Sequence, residues 1–365
     1  MEQVSTGFIG AGGIARAHAY ALNALKFYYD DAPSVAFKAV SSAREVSRTD
    51  FARKYEFEEA LDPERFFKRK DIDTVYVLGP NNVHYAHLKA ALEMNNVRRV
   101  YLEKPICSNI EEEEKIKRLV EKATSTVEVR IGFQLLASSA IHKALELWRS
   151  NVLGKPVHFR FNYMHRDYLD QNYRAKRRSR LTPAPDGGAM ADLGSHAVSM
   201  MIAFLGHDMK IINGLQGGAF EDVPENSDLY SEISLLDKTT GAVGHLSASR
   251  ITSGMGDKFS FEIFAEKGAL RYNSYAPDRF EYFMEEDNMW KEVFTGSDYK
   301  PATAFPSGHV PGGWLRPLIH AHYEFLKGES KGGIVPDLKH GLEVQRLVRE
   351  TAGFLEKFRQ LRDQT

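Results

Sequence analysis

The chain has 365 residues, 43% hydrophobic and 27% charged, which is an ordinary globular composition and long enough for two domains. Its 48 Lys and Arg balance 49 Asp and Glu, so no overall field favours nucleic acid or an anionic membrane as a partner. A single cysteine, Cys107, excludes an intramolecular disulfide, and no apolar run approaches the ~20 residues that span a bilayer. With no secretory signal pattern at residues 1–13, we expect a cytoplasmic location.

Strand and helix signals alternate at short spacing along the first third of the chain. Apolar, β-branched runs predict strands at 4–10, 35–41, 74–78, 99–102 and 127–132. The segments between them predict helices at 14–26, 45–55, 83–94 and 110–123. This alternation is typical of βαβ units, so we expect an α/β domain over residues 1–130 with a doubly wound parallel sheet.

A glycine-rich turn, Gly10-Ala11-Gly12-Gly13-Ile14-Ala15, directly follows the first predicted strand and fits the pattern G-x-G-x-x-A. In such a turn Gly10 makes the tight bend, Gly12 lets the backbone approach a pyrophosphate, and Ala15 allows close helix–strand packing. Gly13 and Ile14 open the helix, whose free N–H groups and positive dipole end favour phosphate. The first domain is therefore predicted to be a Rossmann domain that binds a dinucleotide.

The end of the second strand bears on which dinucleotide binds. NAD enzymes usually have an acidic residue there to accept hydrogen bonds from the ribose, but this chain reads Ser41-Ser42-Ala43-Arg44. The hydroxyl of Ser42 and the cation of Arg44 suit a 2′-phosphate, so NADP is favoured over NAD. The other interpretation, in which Arg44 is solvated and NAD binds without the acid, stays open.

The pattern changes in the remainder of the chain, which we assign to one substrate-binding and oligomerisation domain over residues 131–365. Short runs of strand-favouring residues, separated by turn signals, predict strands at 157–165, 210–215, 229–236, 242–249, 258–265 and 269–272. Tight hairpin connections are predicted at 238–241 and 266–268. Helices are predicted again at 315–327 and 341–361. We expect an α+β domain with a large, mostly antiparallel, open sheet.

Two further segments carry side chains suited to proton chemistry. Glu103-Lys104-Pro105 follows a predicted strand, and the carboxyl edge of a parallel sheet borders the ligand crevice. Asp192 and His196 are four residues apart, so on a helix they share one face, where a carboxylate orients an imidazole that accepts a proton. Taken alone, these residues also fit a solvated lysine, a capping aspartate and a core histidine.

These segments together resemble the Gfo/Idh/MocA oxidoreductase family, which is named after glucose–fructose oxidoreductase, inositol dehydrogenase and a rhizopine catabolism protein. The resemblance rests on the glycine turn, on Pro80-Asn81-Asn82-Val83-His84, on Glu103-Lys104-Pro105 and on Asp192-Leu193-Gly194-Ser195-His196, in that order and spacing. It implies a catalytic Lys104, Asp192 and His196, with a sugar or cyclitol substrate bound beside the nicotinamide. It also implies cofactor contacts by residues at the strand ends, namely Pro80, Asn81, His84, Glu103 and Lys104. For His84 a helix-capping role stays open as the alternative.

The chain departs from the family after the fifth predicted strand. Many members have an arginine and a proline in this stretch, where the chain reads Gly132-Phe133-Gln134-Leu135. Gln134 is kept as a cofactor contact, and the departure leaves the identity of the substrate open. Further substrate contacts are proposed for Arg166, Tyr168 and His309, and each of these has an ordinary surface or interface position as its alternative.

The resemblance implies a dehydrogenase or reductase that acts on CH–OH groups, with NADP or NAD as cofactor and no metal. It also implies a homodimer or homotetramer formed through the sheet of the second domain. Two other functions stay open at this point. One is elimination or epimerisation of a sugar with tightly bound NAD(P) used transiently, and the other is a binding protein that senses the dinucleotide. The basic run at 174–180 is interpreted as a solvated loop rather than a site for an acidic sugar.

Overall fold

The computed structural model describes residues 3–122, 127–183, 187–218, 220–296, 313–328 and 334–362. Its backbone divides into two compact units, one formed by Met1–Ala137 with Ser297–Leu342 and the other by Ser138–Gly296 with Glu343–Thr365. Each unit contains one sheet. Within the described ranges, no helix combines the length and the apolarity that crossing a membrane requires.

The first unit begins with a regular alternation of strands and helices. Its elements are β1 (Gln3–Ile9), α1 (Gly13–Tyr28), β2 (Ser34–Ser41), α2 (Glu45–Tyr55), β3 (Glu59–Leu61), α3 (Pro63–Phe67), β4 (Thr74–Val77), α4 (His84–Leu92), β5 (Arg99–Leu102), α5 (Ile110–Lys122) and β6 (Glu128–Ile131). The six strands are all parallel and lie in the order β3-β2-β1-β4-β5-β6. This order confirms the predicted Rossmann-type sheet.

The central strands of this sheet are buried on both faces. All four residues of β4 are buried, and the rings of Phe57 and Tyr76 each lie 5.0 Å from the ring of Phe8 in β1. Burial on both sides is why these strands read as continuous apolar runs in the sequence. The sequence analysis missed β3 and α3, which have three and five residues and are too short to show a period.

The second unit is built on an eight-stranded sheet. Its elements before the C-terminal helices are α6 (Ser139–Arg149), β7 (Pro156–Met164), α7 (Gln171–Lys176), α8 (Ser195–Leu205), β8 (Met209–Gly217), β9 (Tyr230–Asp237), β10 (Val243–Ser249), β11 (Lys258–Ala265), β12 (Gly268–Asn273), β13 (Arg279–Met284) and β14 (Met289–Phe294). The strands lie in the order β14-β13-β12-β11-β7-β10-β9-β8. Every neighbouring pair is antiparallel except β7 and β10.

The large, mostly antiparallel sheet and both of its predicted hairpins are therefore confirmed. The hairpin between β9 and β10 is closed by Asp237, whose carboxylate accepts hydrogen bonds from Thr239 N at 2.9 Å and Thr240 Oγ1 at 2.5 Å. The sequence analysis missed α6, α7 and the hairpin of β13 and β14. The two missed strands form one edge of the sheet, where most of their residues stay partly exposed and the inward apolar pattern is weak.

The two faces of this sheet differ in character. One face is apolar and fully buried, with Phe159, Phe161, Phe259, Phe261 and Ile263 among its members. On the other face a row of charged residues crosses the central strands, in register from Arg160 through Glu262, Arg271 and Glu281 to Glu292. This alternation is typical of an antiparallel sheet that covers a core with one side only.

The C-terminal region adds two helices, α9 (Leu315–Lys327) and α10 (Leu338–Arg362). α9 belongs to the first unit and is buried from Arg316 to Leu326, with Leu318, Ile319 and Phe325 in the core that also contains α1. The structure therefore divides the chain differently from the predicted domains at 1–130 and 131–365. The difference arises because α9 is buried along its whole length and packs into the core of the first unit together with α1.

Candidate functional site

The glycine turn after β1 depends on a position that only glycine can occupy. Gly10 has φ of +125°, and a Cβ built there would lie 2.5 Å from the carbonyl carbon and oxygen of Leu78. Its N–H donates to the carbonyl of Ser41 at 2.8 Å, which joins the turn to the end of β2. The predicted role of Gly10 in a tight bend therefore has a direct physical cause.

The start of α1 fits the diphosphate of a dinucleotide. Gly12 is the N-cap, it makes no side-chain capping hydrogen bond, and the first turn of the helix contains no acidic residue. A Cβ at Gly12 would meet no protein atom within 4 Å, and one at Gly13 only the end of the Arg16 side chain at 3.9 Å. Ala15 is fully buried, as close packing requires. The N–H groups of a 16-residue helix are thus presented beside a backbone that phosphate oxygens can approach.

The loop after β2 carries no acidic side chain at its tip. Ser42 Oγ donates to the carbonyl of Arg44 at 3.1 Å, and the exposed Arg44 is the N-cap of α2. Arg48, which the sequence analysis did not single out, donates to the carbonyls of Ser42 at 3.1 Å and Ala43 at 3.4 Å and so holds the loop. Arg44 makes no ion pair with any residue that the structure describes, and its guanidinium is open to solvent.

The imidazole of His84 lies between two backbone carbonyls. The residues Pro80 to Val83 form the cap and the body of a short 3-10 turn, and His84 follows it at the start of α4. The imidazole is only 1% exposed, with Nδ1 2.6 Å from the carbonyl oxygen of Pro105 and Nε2 2.8 Å from that of Gly79. Burial lowers its pKa below the ordinary value. His84 thus braces the ends of β4 and β5 against each other.

Glu103-Lys104-Pro105 forms the turn after β5, with a cis peptide bond between Lys104 and Pro105. Glu103 is buried, and its carboxylate accepts hydrogen bonds from His18 Nε2 at 2.9 Å and from the backbone N–H of Lys104 at 3.3 Å. A Cβ at Gly132, just after β6, would lie 2.6 Å from Glu103 Oε1. Lys104 itself is half-buried. Gln134, in the next turn, is buried.

Asp192 and His196 lie in the second unit, at the start of α8. Residues Met190–Gly194 form a single π-helical turn that leads into α8. Asp192 therefore lies in the π-turn and His196 in the first turn of the α-helix, whereas the prediction placed both on one α-helix. His196 is buried, with its ring centroid 5.7 Å from that of Tyr163. Four apolar residues along the same segment are all buried in the core, namely Leu193, Ala197, Met200 and Phe204. π-turns of this kind are frequent at functional sites.

Asp192 is held by Arg250, a residue that the sequence analysis did not identify. Arg250 is fully buried, and its guanidinium donates to Asp192 Oδ2 at 2.7 Å and to the carbonyl of Arg180 at 2.5 Å. The guanidinium carbon also lies 4.7 Å from the ring centroid of Tyr168. No local pattern marks Arg250, because it follows β10 like any polar residue at a strand end, and its partner is 58 positions away.

A second buried carboxyl group supports the same turn. Asp228 accepts hydrogen bonds from the backbone N–H of Met190 at 2.9 Å and from Ser231 Oγ at 2.5 Å. Burial raises the pKa of Asp228 above the ordinary value, although these donors and the nearby Arg250 oppose the shift. Gly188 packs so closely against Asp228 that a Cβ would overlap its side chain. The glycine at position 188, just before the π-turn, therefore has a steric cause.

The remaining predicted substrate residues have varied positions. Arg166 is exposed, Tyr168 is buried beneath Arg250, and His309 lies outside the described residues. The predicted solvated loop at 174–180 is only partly solvated. Arg174 is buried and forms a two-pronged ion pair with Asp222, with N–O distances of 2.8 and 3.0 Å.

Two family models match the chain. Residues 4–131 match an oxidoreductase family with an NAD-binding Rossmann fold, and residues 141–271 match the GFO/IDH/MocA C-terminal domain. Among curated proteins, levoglucosan dehydrogenase of Pseudarthrobacter phenanthrenivorans is 23% identical over 94% of each chain. Glucose-6-phosphate 3-dehydrogenase of Bacillus subtilis is 28% identical over 74% of this chain and 75% of its own.

Solved structures share the fold over nearly the whole chain. A levoglucosan dehydrogenase in complex with NADH has a TM-score of 0.85 with 21% identity and covers 98% of both chains. An inositol dehydrogenase homolog from Azotobacter vinelandii, complexed with NAD+, has a TM-score of 0.76 with 17% identity, over 98% of this chain and 96% of its own.

We predict that Arg250→Met lowers the free energy of unfolding by about 3 kcal/mol, the lower end of the range for a broken buried ion pair. The lower end applies because the Asp192 side chain keeps 27% of its exposure and is partly solvated without its partner. A double-mutant cycle that combines Arg250→Met with Asp192→Asn, with stability measured by urea unfolding, should show a coupling free energy of roughly 1–3 kcal/mol between the two positions. Combining Asp192→Asn with Arg174→Met, which breaks the other buried arginine pair, should give additive losses. Additivity in both cycles would contradict the Arg250–Asp192 contact.

Proposed function

Because the chain belongs to the Gfo/Idh/MocA oxidoreductase family, we propose that it transfers a hydride between a nicotinamide cofactor and a secondary alcohol of a sugar or cyclitol. The observation that carries this proposal is the glycine turn, which presents the N-terminus of α1 beside a backbone open to a diphosphate. The named relatives include dehydrogenases of levoglucosan and of glucose 6-phosphate, which support a sugar as the substrate class.

In this proposal the cofactor contacts all come from the first unit. The turn from Gly10 to Ala15 holds the diphosphate, and Ser42 and Arg44 face the adenosine ribose. Pro80, Asn81, Glu103, Lys104 and Gln134 line the nicotinamide end, while His84 acts on it only through the backbone that it braces. When bound, the nicotinamide supplies the redox chemistry, and the protein supplies orientation and charge.

The proton chemistry is assigned to Lys104, Asp192 and His196. Lys104 donates a hydrogen bond to the substrate oxygen and stabilises the negative charge that develops there. His196 accepts the hydroxyl proton as a general base. Asp192 accepts a hydrogen bond from a neighbouring hydroxyl, and Arg250 fixes its orientation while leaving the carboxylate partly exposed. Arg166, Tyr168 and His309 stay predicted substrate contacts.

We expect Lys104→Ala to lower turnover by roughly 10²–10⁴, because a positioned proton or hydrogen-bond donor contributes that much to a transition state. Turnover is measured as absorbance of reduced nicotinamide on a panel of sugars and inositols with NAD and NADP. Cofactor affinity, measured by calorimetry, should change little. Lys115→Ala, an exposed lysine of α5, is the matched control and should keep full activity. Tight cofactor binding with no turnover on any member of the panel would overturn the proposed function.

For the cofactor we propose a preference for NADP over NAD. The support is the exposed guanidinium of Arg44 at the tip of the loop after β2, together with the absence of a carboxylate between Ser41 and Arg44. The relatives solved with NADH and NAD+ stand against this preference. A cytoplasmic location likewise stays a prediction.

The preference predicts that Arg44→Ala raises the KM for NADP about tenfold or more, since a charge-assisted hydrogen bond to phosphate is lost. The KM for NAD should change little, because NAD has no 2′-phosphate. Arg53→Ala, an exposed arginine of α2 paired with Asp50, serves as the control. Equal effects on both cofactors, or a lower KM for NAD in the unaltered protein, would refute the NADP preference.

We also propose that the polar face of the eight-stranded sheet joins copies of the chain into a homodimer or homotetramer. Beside its charged row runs an apolar row in register, which consists of Val243, His158, Phe264, Ala269, Phe283 and Trp290. Val243 and Trp290, at its two ends, are 48% and 40% exposed. An apolar stripe rimmed by charged residues is typical of a surface that associates.

Phe264→Glu should reduce the mass measured by size-exclusion chromatography with light scattering to that of one chain, because a charge at the centre of the apolar row opposes its burial. Phe27→Glu is the matched control, since Phe27 of α1 is 61% exposed and distant in sequence from this face. An unaltered mass for Phe264→Glu would exclude this face as the interface.

A further inference from the structure

We propose that His18 and His322 form a buried hydrogen-bonded pair whose function is to fix Glu103, and through Glu103 the Lys104 turn, so that both histidines are positioning residues for the site. The proposal rests on the proposed function in that it gives Lys104 a catalytic role. All of the residues concerned belong to the first unit.

The contacts form a single chain across the interior of this unit. Glu103 Oε1 lies 2.9 Å from His18 Nε2, and His18 Nδ1 lies 2.9 Å from His322 Nε2. His322 Nδ1 lies 3.4 Å from the hydroxyl oxygen of Tyr76, a longer and weaker contact. His18, His322 and Tyr76 are fully buried and Glu103 is 7% exposed. The chain therefore links α1, α9 and β4 to the end of β5.

When both rings are neutral and Glu103 is a carboxylate, only one arrangement of donors and acceptors satisfies all three contacts. Tyr76 O–H donates to His322 Nδ1, His322 Nε2–H donates to His18 Nδ1, and His18 Nε2–H donates to Glu103 Oε1. The reverse order would turn the lone pair of His18 Nε2 towards the carboxylate. Burial lowers the pKa of His322 well below its ordinary value and raises that of Tyr76, in keeping with a neutral ring and an intact hydroxyl. A protonated His18 would still donate to Glu103, so the carboxylate is held in either state.

The surroundings explain why this carboxylate needs such partners. The ring of His322 lies 5.2 Å from that of Tyr101, and Phe325 packs against both Tyr76 and Tyr101, so the network is enclosed by aromatic core. A buried carboxylate without hydrogen-bond donors is strongly destabilising. Apolar residues in place of the two histidines would fill the same space, but they would leave Glu103 without this donor.

Glu103 transmits its orientation directly to the turn that carries Lys104. One oxygen accepts from His18 and the other from the backbone N–H of Lys104 at 3.3 Å. Gly132, just after β6, packs beside this carboxylate, since a Cβ built there would lie 2.6 Å from Oε1. Among the described residues, loss of the His18 hydrogen bond would leave the longer bond from the Lys104 N–H on the carboxylate, so its orientation would be less firmly held. Supporting contacts of this kind typically change activity by about 10–100-fold.

His322→Leu tests the proposal, with His322→Gln as the conservative variant, because the amide of glutamine can still donate to His18. The matched control is His320→Leu. His320 is on the same helix and is also buried, but it bonds to the hydroxyl of Tyr29 at 2.7 Å and not to the pair. Two readouts are taken: hydrogen exchange of the Lys104 backbone amide in the cofactor-free protein, and kcat and KM on the best substrate of the panel.

We expect His322→Leu to accelerate Lys104 amide exchange and to lower kcat at least tenfold with less than about a twofold change in cofactor KM. His322→Gln should restore most of both, and His320→Leu should lower stability alone. If His322→Leu does not fold, His322→Asn replaces it, since the shorter amide cannot reach His18.

The proposal is overturned if Lys104 exchange and kcat in His322→Leu match those in His320→Leu, because the pair is then only part of the core. If the unaltered protein turns over no sugar, the proposed function fails, and the amide exchange alone still decides whether the pair holds the Lys104 turn.

Discussion

The close approach of β1 and β4 at Gly10 is the constraint on which the first unit depends. Because the carbonyl of Leu78 occupies the space of a side chain at Gly10, the chain can pass only with a glycine at positive φ. That turn sets where α1 begins, and the start of α1 sets both the exposed N-cap at Gly12 and the direction of His18 one and a half turns later. A single steric requirement thereby aligns a phosphate-binding helix end and a buried donor to Glu103.

Three carboxyl groups, one in the first unit and two in the second, are held in three different ways. Glu103 accepts from a histidine and a backbone amide within an aromatic core, whereas Asp192 faces the buried guanidinium of Arg250 and keeps some exposure. Asp228 is fully enclosed and has a hydroxyl and an amide as donors, and burial raises its pKa. Of the three, only Asp192 combines a strong cation partner with access to solvent, which suits its proposed role of accepting a hydrogen bond from a substrate hydroxyl. Glu103 and Asp228 instead accept hydrogen bonds from the backbone of the turns that contain Lys104 and Met190.

The sequence predicts those features of the fold that depend on neighbours along the chain. The parallel sheet, the glycine turn and the turn after β5 follow from apolar runs and from local turn chemistry. Arg250 and His322 could not be found in this way, because their partners lie 58 and 304 positions away and nothing in their own segments distinguishes them. His84 shows what a sequence motif alone does not reveal. Its position in a motif indicates a functional neighbourhood, but only the structure reveals that both ring nitrogens face backbone carbonyls.

The burial of α9 explains why its polar residues are arranged as they are. A helix buried on all sides must satisfy every polar side chain that it carries, and α9 carries Arg316, His320, His322 and Glu324. Arg316 and His320 both form hydrogen bonds with the hydroxyl of Tyr29, just past the end of α1. His322 instead bonds to His18, which lies in the second turn of α1. The two clusters fix the same pair of helices, so either one would be enough to set their register. Only the His322 cluster continues to a carboxylate at the end of β5, which is why a role beyond packing is assigned to that cluster and not to its neighbour.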